Sequence, residues 1–297
     1  MPDISLWNKC NNRCIMCTNP RDYSNSDPYG NYDLKTQIKK INLYLQGKDD
    51  VFYPNHKRKD YINITGGEPT LHPNFFHLIR YFSDKFKKTP ITLLTNGRRF
   101  SDETFAKKFS AITNERFTAA ISIHSYRSDV FDKITGVKKS YHQTISGLMN
   151  LMKYFCGSIE IRTVVHKLNI EDLKQTILFV KDLMIAYRNW YHVIIHYEIE
   201  GVGEENRKII KLKLSDSAKV IEEIDEDILK ASNIRLYHFP LCILNPRLRR
   251  YAWKTLPDNE IIFTKKCEKC ILKKKCLGLM KRYYELYGDD ELKTVCR

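Results

Sequence analysis

The hydrophobic period of this chain switches back and forth six times. Short runs rich in β-branched and aromatic residues stand at 4–7 ("ISLW"), 61–65 ("YINIT"), 91–95 ("ITLLT"), 118–123 ("TAAISI"), 159–165 ("IEIRTVV") and 192–199 ("HVIIHYEI"). Between them, near 34–46, 73–87, 102–112, 139–155, 171–186 and 215–231, apolar residues recur every three or four positions, as on one face of a helix. Antiparallel strands can be joined by a tight turn, whereas parallel strands need a crossover of a dozen or more residues, usually helical. The spacing therefore predicts an α/β protein of parallel β/α units. Six units over residues 1–238 make a partial (β/α)6 TIM-like barrel, because a complete eight-unit barrel would leave no room for the cysteine-rich segment at the C-terminal end. Gly47 is expected to close the first helix, and Ser101 to cap the third with Thr104 in its first turn. Residues 47–60, "GKDDVFYPNHKRKD", read as a polar loop.

After residue 238 the texture changes. The stretch from His238 to Met280 has three prolines, four cysteines and no sustained period. It predicts a small appended domain, 239–297, organised around a metal because so short a piece has little core of its own. No run of 18 apolar residues and no secretory signal is visible, so a membrane partner is not expected and the cytoplasm is. Thiols stay reduced there, and the nine cysteines read as metal ligands or catalytic groups in preference to disulfides.

Three of them fall within eight positions, "CNNRCIMC" at 10–17. Disulfides take cysteines in pairs, and a closed zinc site takes four ligands. Directly after a strand, Cys10-x3-Cys14-x2-Cys17 lets a loop wrap three thiolates around three corners of a cubane 4Fe–4S cluster, leaving the fourth iron open. Zinc is the alternative, and it needs a fourth ligand from elsewhere. In "TGGEPT" at 65–70, Gly66 and Gly67 permit a sharp turn and close approach to a ligand, while Glu68 offers an acceptor for an ammonium group; a plain glycine turn is the other reading. Asn96-Gly97 in "LLTNGR" fits an ordinary turn. Arg162 alternates with Ile161 and Thr163, and an inward arginine in an apolar strand needs an anion. Glu198 and Glu200 share a face at the end of the sixth strand. They suit substrate binding or proton transfer, or simple solvent exposure.

The C-x3-C-x2-C loop in the first β/α connection, followed in order by these phrases, resembles the radical S-adenosylmethionine (SAM) superfamily. That resemblance implies SAM bound to the open iron by its amino and carboxylate groups, then cleaved reductively to methionine and a 5′-deoxyadenosyl radical. It makes Cys10, Cys14 and Cys17 the catalytic cluster ligands. It also places Gly66, Gly67, Glu68, Asn96, Ser122 and Arg162 around SAM: Glu68 at the amino group, Ser122 at the ribose or carboxylate, Arg162 at the carboxylate. A strand serine satisfied by backbone is the alternative for Ser122. Met16 stands where the superfamily commonly has an aromatic residue, and its thioether can still pack against adenine. His166 and Asn169 would border the adenine, although Asn169 serves equally as a cap ahead of "IEDLKQ".

Cys267-x2-Cys270-x5-Cys276, with Cys242 upstream, reads as a closed four-thiolate site, zinc or 4Fe–4S. The segment is similar to the auxiliary-cluster domains called SPASM and twitch. That likeness favours iron–sulfur, and Met280 at the place of a further SPASM cysteine implies one auxiliary cluster, two 4Fe–4S clusters in all. Cys296 is an alternative fourth ligand to Cys242, and Cys156 reads as a buried thiol.

Phrases along nearly the whole chain look like those of radical SAM maturases of His-Xaa-Ser peptide systems, C-type component. The implied partners are a peptide or protein substrate and an external electron donor such as flavodoxin or ferredoxin. With Cys10 so near the start, no leader-recognition domain is expected ahead of it, and a partner would supply that role. The net charge of +15 reads either as a solvated basic surface or as attraction to an acidic peptide, a nucleotide or nucleic acid, and by itself chooses no partner. Local basic concentrations are His56-Lys57-Arg58-Lys59, Arg247 to Arg250 and Lys273-Lys274-Lys275. Two further readings stand: radical chemistry on a nucleotide-derived or cofactor precursor, and a non-catalytic metal-stabilised RNA binder, for which no RNA-recognition motif appears.

Overall fold

The computed structural model describes residues 3–25, 31–48 and 61–296. The basic run 56–59 and most of the loop expected at 47–60 lie outside the described residues. Elements follow one another as β1 (Asp3–Trp7), α1 (Leu34–Leu45), β2 (Ile62–Gly66), α2 (Phe75–Lys85), β3 (Ile91–Thr95), α3 (Glu103–Ile112), β4 (Phe117–Ser122), α4 (Ser128–Thr135) and α5 (Ser140–Tyr154). Then come β5 (Ser158–Val165), α6 (Leu173–Met184), β6 (Trp190–His196), α7 (Gly201–Glu205), α8 (Arg207–Ile210), α9 (Leu214–Glu222) and α10 (Glu226–Ala231). The chain continues through β7 (Ile234–Tyr237), β8 (Ala252–Trp253), β9 (Ile261–Ile262), β10 (Leu279–Met280) and α11 (Lys281–Tyr287). This is the α/β class that the alternating periods predict, with β7 and β8 as strands beyond the expected six. Among the described residues no helix is long and apolar enough to cross a membrane.

Two compact units divide the chain. The first comprises Met1–Arg13, Asn19–Ser122 and Thr135–Glu160. Its strands β1 to β4 pair in chain order, all parallel. Phe75, Phe100, Phe105, Phe109, Phe117 and Phe155 are buried together as an aromatic core. Each contributes about 1.5–3 kcal/mol of burial. Helix α1 starts on Asp33, whose carboxylate accepts the Thr36 N–H at 3.0 Å. Helix α3 starts on Asp102, which accepts from Thr104 and Phe105 N–H at 2.9 and 3.2 Å. The expected cap, Ser101, instead donates to the Arg98 carbonyl at 2.7 Å, and a carboxylate is the stronger acceptor at a positive helix end.

The second unit comprises Cys14–Thr18, Ile123–Ile134 and Ile161–Arg297. Its strands β6, β7 and β8 are parallel, with His192 beside Ile234 and Leu236 beside Ala252. Ile194, Ile234 and Leu236 join Ile177, Ile221 and Leu229 in one buried cluster, which fixes the helix-covered face of these strands. Leu279, Met280, Tyr283 and Leu292 belong to the same cluster. The last segment also serves α9: the Leu214 N–H donates to Tyr283 Oη at 3.2 Å, and the Ser215 N–H to Glu291 at 2.7 Å. Residues after 238 thus add strand β8 and share a core with those before it. Cys156 is exposed, contrary to the buried thiol expected, because α5 ends at Tyr154 and in the extended backbone that follows Cys156 alternates with the buried Phe155.

Candidate functional site

The cysteine loop comes directly after β1, and its backbone is held at nearly every residue. In the first unit the Gly67 N–H donates to the Trp7 carbonyl at 2.7 Å and the Glu68 N–H to the Lys9 carbonyl at 2.8 Å. The Arg13 N–H donates to the Thr135 carbonyl at 2.8 Å. Asn96 Nδ2 donates to Asn11 Oδ1 at 2.7 Å and lies 4.0 Å from Cys10 Sγ, which accepts the Asn12 N–H at 3.4 Å. Arg98 Nη1 donates to the Asn11 carbonyl and, at 2.8 Å, to Asn12 Oδ1. In the second unit Ile15 N–H donates to the Ile134 carbonyl at 3.0 Å, and Gly203 N–H to the Cys17 carbonyl at 2.9 Å. Asn206 Nδ2 donates to the Ile15 carbonyl at 2.9 Å. Cys10 is exposed and Cys14 and Cys17 are half-buried. A loop so pinned through its main chain carries its three thiols on a fixed backbone.

Gly66 and Gly67 make the close approach possible. Gly66 has φ +136°, and a Cβ there would lie 2.2 Å from the Trp7 oxygen; a Cβ on Gly67 would lie 2.5 Å from the Lys9 oxygen. Gly66→Ala is expected to destabilise the protein by at least about 3 kcal/mol, strain and overlap combined. The check is a lower urea midpoint at unchanged slope, and an unchanged midpoint would contradict it.

Glu68 is buried and already hydrogen-bonded. Its Oε1 accepts from Thr70 N–H at 3.2 Å, Thr70 Oγ1 at 2.6 Å and Thr95 Oγ1 at 2.6 Å, and its Oε2 from Asn96 N–H at 2.7 Å. Burial pushes its pKa up, and the bonds from Asn96, Thr70 and Thr95 pull the other way. All four partners donate, so we assign the carboxylate form, with one acceptor direction left on Oε2.

Ser122 ends β4 half-buried. Met16 is 7% exposed, within the second unit's apolar cluster. Arg162 is half-buried on β5 while Ile161 and Thr163 are fully buried. Its charge helps to lower the pKa of both His124 and His238, after burial. Asn169 does not cap α6, whose N-cap is Asp172. Its side chain accepts from His166 N–H at 2.9 Å and donates to the His124 and Val164 carbonyls at 2.8 and 2.9 Å, binding the exit of β5. Strand β6 stops at His196, so Glu198, half-buried, and Glu200, exposed, lie beyond its end. Asn11, Arg98, Gly203 and Asn206 are loop-holding residues that motif reading passed over. Only Arg98 had a sequence signal, its place directly after the Asn96-Gly97 turn.

In the second unit Cys242, Cys267, Cys270 and Cys276 line one cavity together with Lys273 and Lys293. The antiparallel pair β9–β10 brackets the Cys267–Cys276 loop. Cys276 Sγ accepts N–H groups from Leu241 at 3.3 Å and Gly278 at 3.4 Å. Burial pushes the Cys242 and Cys276 pKa values up, backbone N–H bonds from Lys293 to Cys242 and from Gly278 and Leu241 to Cys276 pull the other way, and the neighbouring thiols add to the rise. Cys296 is exposed and lies outside this lining. Among the described residues no group of three or more His, Cys, Asp or Glu side chains is found that could hold a metal ion. The two N–H donors to Cys276 and the flanking Lys273 and Lys293 place positive partners beside the thiols. Of the predicted basic concentrations, Arg247 and Arg250 pair with Glu226 at 3.1 and 2.6 Å, and Arg249 donates to the Leu241 carbonyl at 3.0 Å.

Residues 4–180 match the Radical SAM superfamily model. A GTP 3′,8-cyclase of Pasteurella multocida is 27% identical over 186 residues, 62% of this chain and 51% of that protein. The chain thus spans about half the length of that relative. A probable GTP 3′,8-cyclase of Sulfurisphaera tokodaii is 31% identical over 236 residues, 80% of this chain and 66% of that protein. Among solved structures, Streptococcus suis SuiB bound to precursor peptide SuiA aligns with TM-score 0.58 at 17% identity, covering 79% of this chain and 48% of that one. Native anSMEcpe with bound AdoMet and Cp18Cys peptide aligns with TM-score 0.53 at 19% identity, covering 78% and 62%.

Proposed function

Since this chain belongs to the radical SAM superfamily, we propose that it is an enzyme that cleaves SAM reductively and modifies a ribosomally made peptide or protein by hydrogen abstraction. The carrying observation is the pinned loop 10–17 with its three thiols, its entry held by the Gly66-Gly67-Glu68 turn. The family uses SAM and a 4Fe–4S cluster, which together supply a 5′-deoxyadenosyl radical. Cys10, Cys14 and Cys17 would hold that cluster. The remaining acceptor direction of Glu68 suits SAM's amino group, and Arg162 and Ser122 suit its carboxylate and ribose. Here the protein's task is to orient SAM and substrate and to exclude water.

One observation supports a peptide substrate, the fold shared with two peptide-bound structures, and the net charge of +15 is compatible with an acidic peptide. An external electron donor such as flavodoxin or ferredoxin, and a leader-recognition partner, belong to this reading. A second reading, a nucleotide such as GTP, is favoured by the curated relatives. The test is anaerobic reconstitution with iron and sulfide, then dithionite and SAM, with GTP in one arm and short acidic peptides in the other. Substrate-dependent 5′-deoxyadenosine in the peptide arm supports the first reading, and in the GTP arm the second. No SAM binding by a fully reconstituted protein would sink both.

The four-cysteine cavity of the second unit would hold one auxiliary 4Fe–4S cluster in a twitch-like arrangement. Cys276→Ala should lower the iron content from about eight to about four atoms per chain, whereas Cys296→Ala should leave it at about eight. One zinc per chain after native purification would show that the cavity holds zinc instead.

A further inference from the structure

Strand β7 alternates between two faces. Ile234 and Leu236 enter the helix-covered apolar cluster of the second unit, so Arg235, between them, stands on the opposite face of the sheet. In register it lies beside Val193 of β6, and Tyr191 is two residues before Val193 on the same face. On the other side of β7, Tyr237 lies beside Trp253 of β8. Arg235 is thereby flanked by one ring from each neighbouring strand. Its Cζ sits 3.6 Å from the centroid of the Tyr191 ring and 4.3 Å from that of Trp253.

Stacking occupies the faces of a guanidinium and leaves its five N–H donors, which lie in its plane. Among the described residues no hydrogen-bond or ion-pair partner of Arg235 is found; its contacts are the two rings. Other arginines of the chain differ. Arg98, Arg116 and Arg249 donate to protein oxygens, and Arg247 and Arg282 pair with glutamates. Arg235 is half-buried, so packing fixes its planar fork while the donors are left to a ligand or to water. Trp253 keeps 47% of its surface exposed, on a strand whose one ladder partner among the described residues is β7. The stack therefore stands at the edge of the sheet.

We infer that Arg235, held between Tyr191 and Trp253, is an oxyanion-binding site that takes a carboxylate or phosphate group of the substrate. A guanidinium fork meets either group with two parallel N–H···O bonds, which a point charge does not. The rings preorganise that fork, so less side-chain freedom is lost when the anion arrives. Trp253 also presents an apolar face beside the bound group. The inference rests on the enzymatic reading above in assigning the anion to the substrate. Both substrate classes carry such a group, side-chain carboxylates in an acidic peptide and phosphates in GTP. The site binds and orients, and no bond is made or broken at it.

Isothermal titration calorimetry on the reconstituted protein, with SAM added, tests this with three probes: GTP, acetyl-tetraglutamate amide and the neutral acetyl-tetraglutamine amide. The wild type should hold one anionic probe at least about tenfold more tightly than the neutral peptide, and which one it holds identifies the source of the group. Arg235→Gln should weaken that binding about tenfold or more, through loss of charge-assisted hydrogen bonds. Arg235→Lys is the decisive variant, since it keeps charge and length and so guards against a folding loss. Without the planar fork it should remain at least about fivefold weaker than the wild type. Trp253→Ala should weaken binding about threefold. Lys108→Gln, which removes one charge from an exposed position in the first unit, should change nothing. Wild-type affinity in Arg235→Lys, or equal losses in Arg235→Gln and Lys108→Gln, overturns the proposal. So does a wild type that holds neither anionic probe more tightly than the neutral one. Formation of 5′-deoxyadenosine by the same wild-type preparation tests the enzymatic reading by itself, and the binding comparison is read whatever that assay gives.

Discussion

Cys14→Ala is expected to lower 5′-deoxyadenosine formation by more than about a hundredfold. Loss of a partner outside the ligand set commonly costs ten- to a hundredfold in metal affinity or activity, so loss of a ligand itself should cost more. The backbone of the loop gives no reason for a folding defect. The neighbouring Ile15 N–H and carbonyl are held by Ile134 and Asn206, and alanine keeps both contacts. The variant should therefore fold with wild-type circular dichroism while the SAM-cleavage assay falls to background. It should also lose about four iron atoms per chain. Undiminished 5′-deoxyadenosine from Cys14→Ala would rule the loop out as the cluster site.

Mild acid should destabilise the second unit by about 6 kcal/mol between pH 7 and pH 5.5. Its His124, His192 and His196 are depressed by burial to about 3, and His166 and His238 to about 4. Each is neutral for a local reason. His192 Nε2 donates to Thr163 Oγ1 at 2.8 Å, because that hydroxyl already donates to the Ile123 carbonyl. His166 Nδ1 accepts the Leu168 N–H at 3.2 Å. A second proton on either would bury a charge. The unfolded chain binds protons near the ordinary pKa of about 6.5 and the folded chain does not, so stability falls as pH drops below that value. The loss continues until the folded pKa values are reached, at about pH 4 to 3. Each group contributes about 1.2 kcal/mol over the stated interval. The urea midpoint at the two pH values checks this; equal midpoints would mean that the five rings are not held neutral.

Legibility in the sequence differs by element. The six alternating runs appear as β1 to β6, with bounds shifted by a few residues, because each pairs an apolar core face with β-branched residues. The strands β7 and β8 were passed over. "IRLY" carries an arginine among four residues, and "AW" is two residues long. Such short segments become strands only because a neighbouring strand supplies the ladder. The long pattern at 215–231 breaks into α9 and α10, where the Ile224 N–H turns back to the Ile221 carbonyl, three residues earlier, at 3.2 Å.

At the site, thiol spacing and the glycine pair were open to reading because they are consecutive residues with a chemical requirement attached. Glu68 was readable as an acceptor, but not its four donors, which come partly from residues 27 and 28 positions further on. Nor could spacing choose between Cys242 and Cys296. That choice depends on which thiol the fold turns inward, and Cys242 is the one lining the cavity. The chain by itself determined period, parallel topology and the inventory of thiols, since these come from local alternation and covalent order. Tertiary structure alone decided which polar atoms meet, as with Glu198 and His238, 40 residues apart in sequence and 3.4 Å apart in space. Such meetings depend on strand register and on the backbone of His238 at φ +70°, and neither is written in the spacing of residue types.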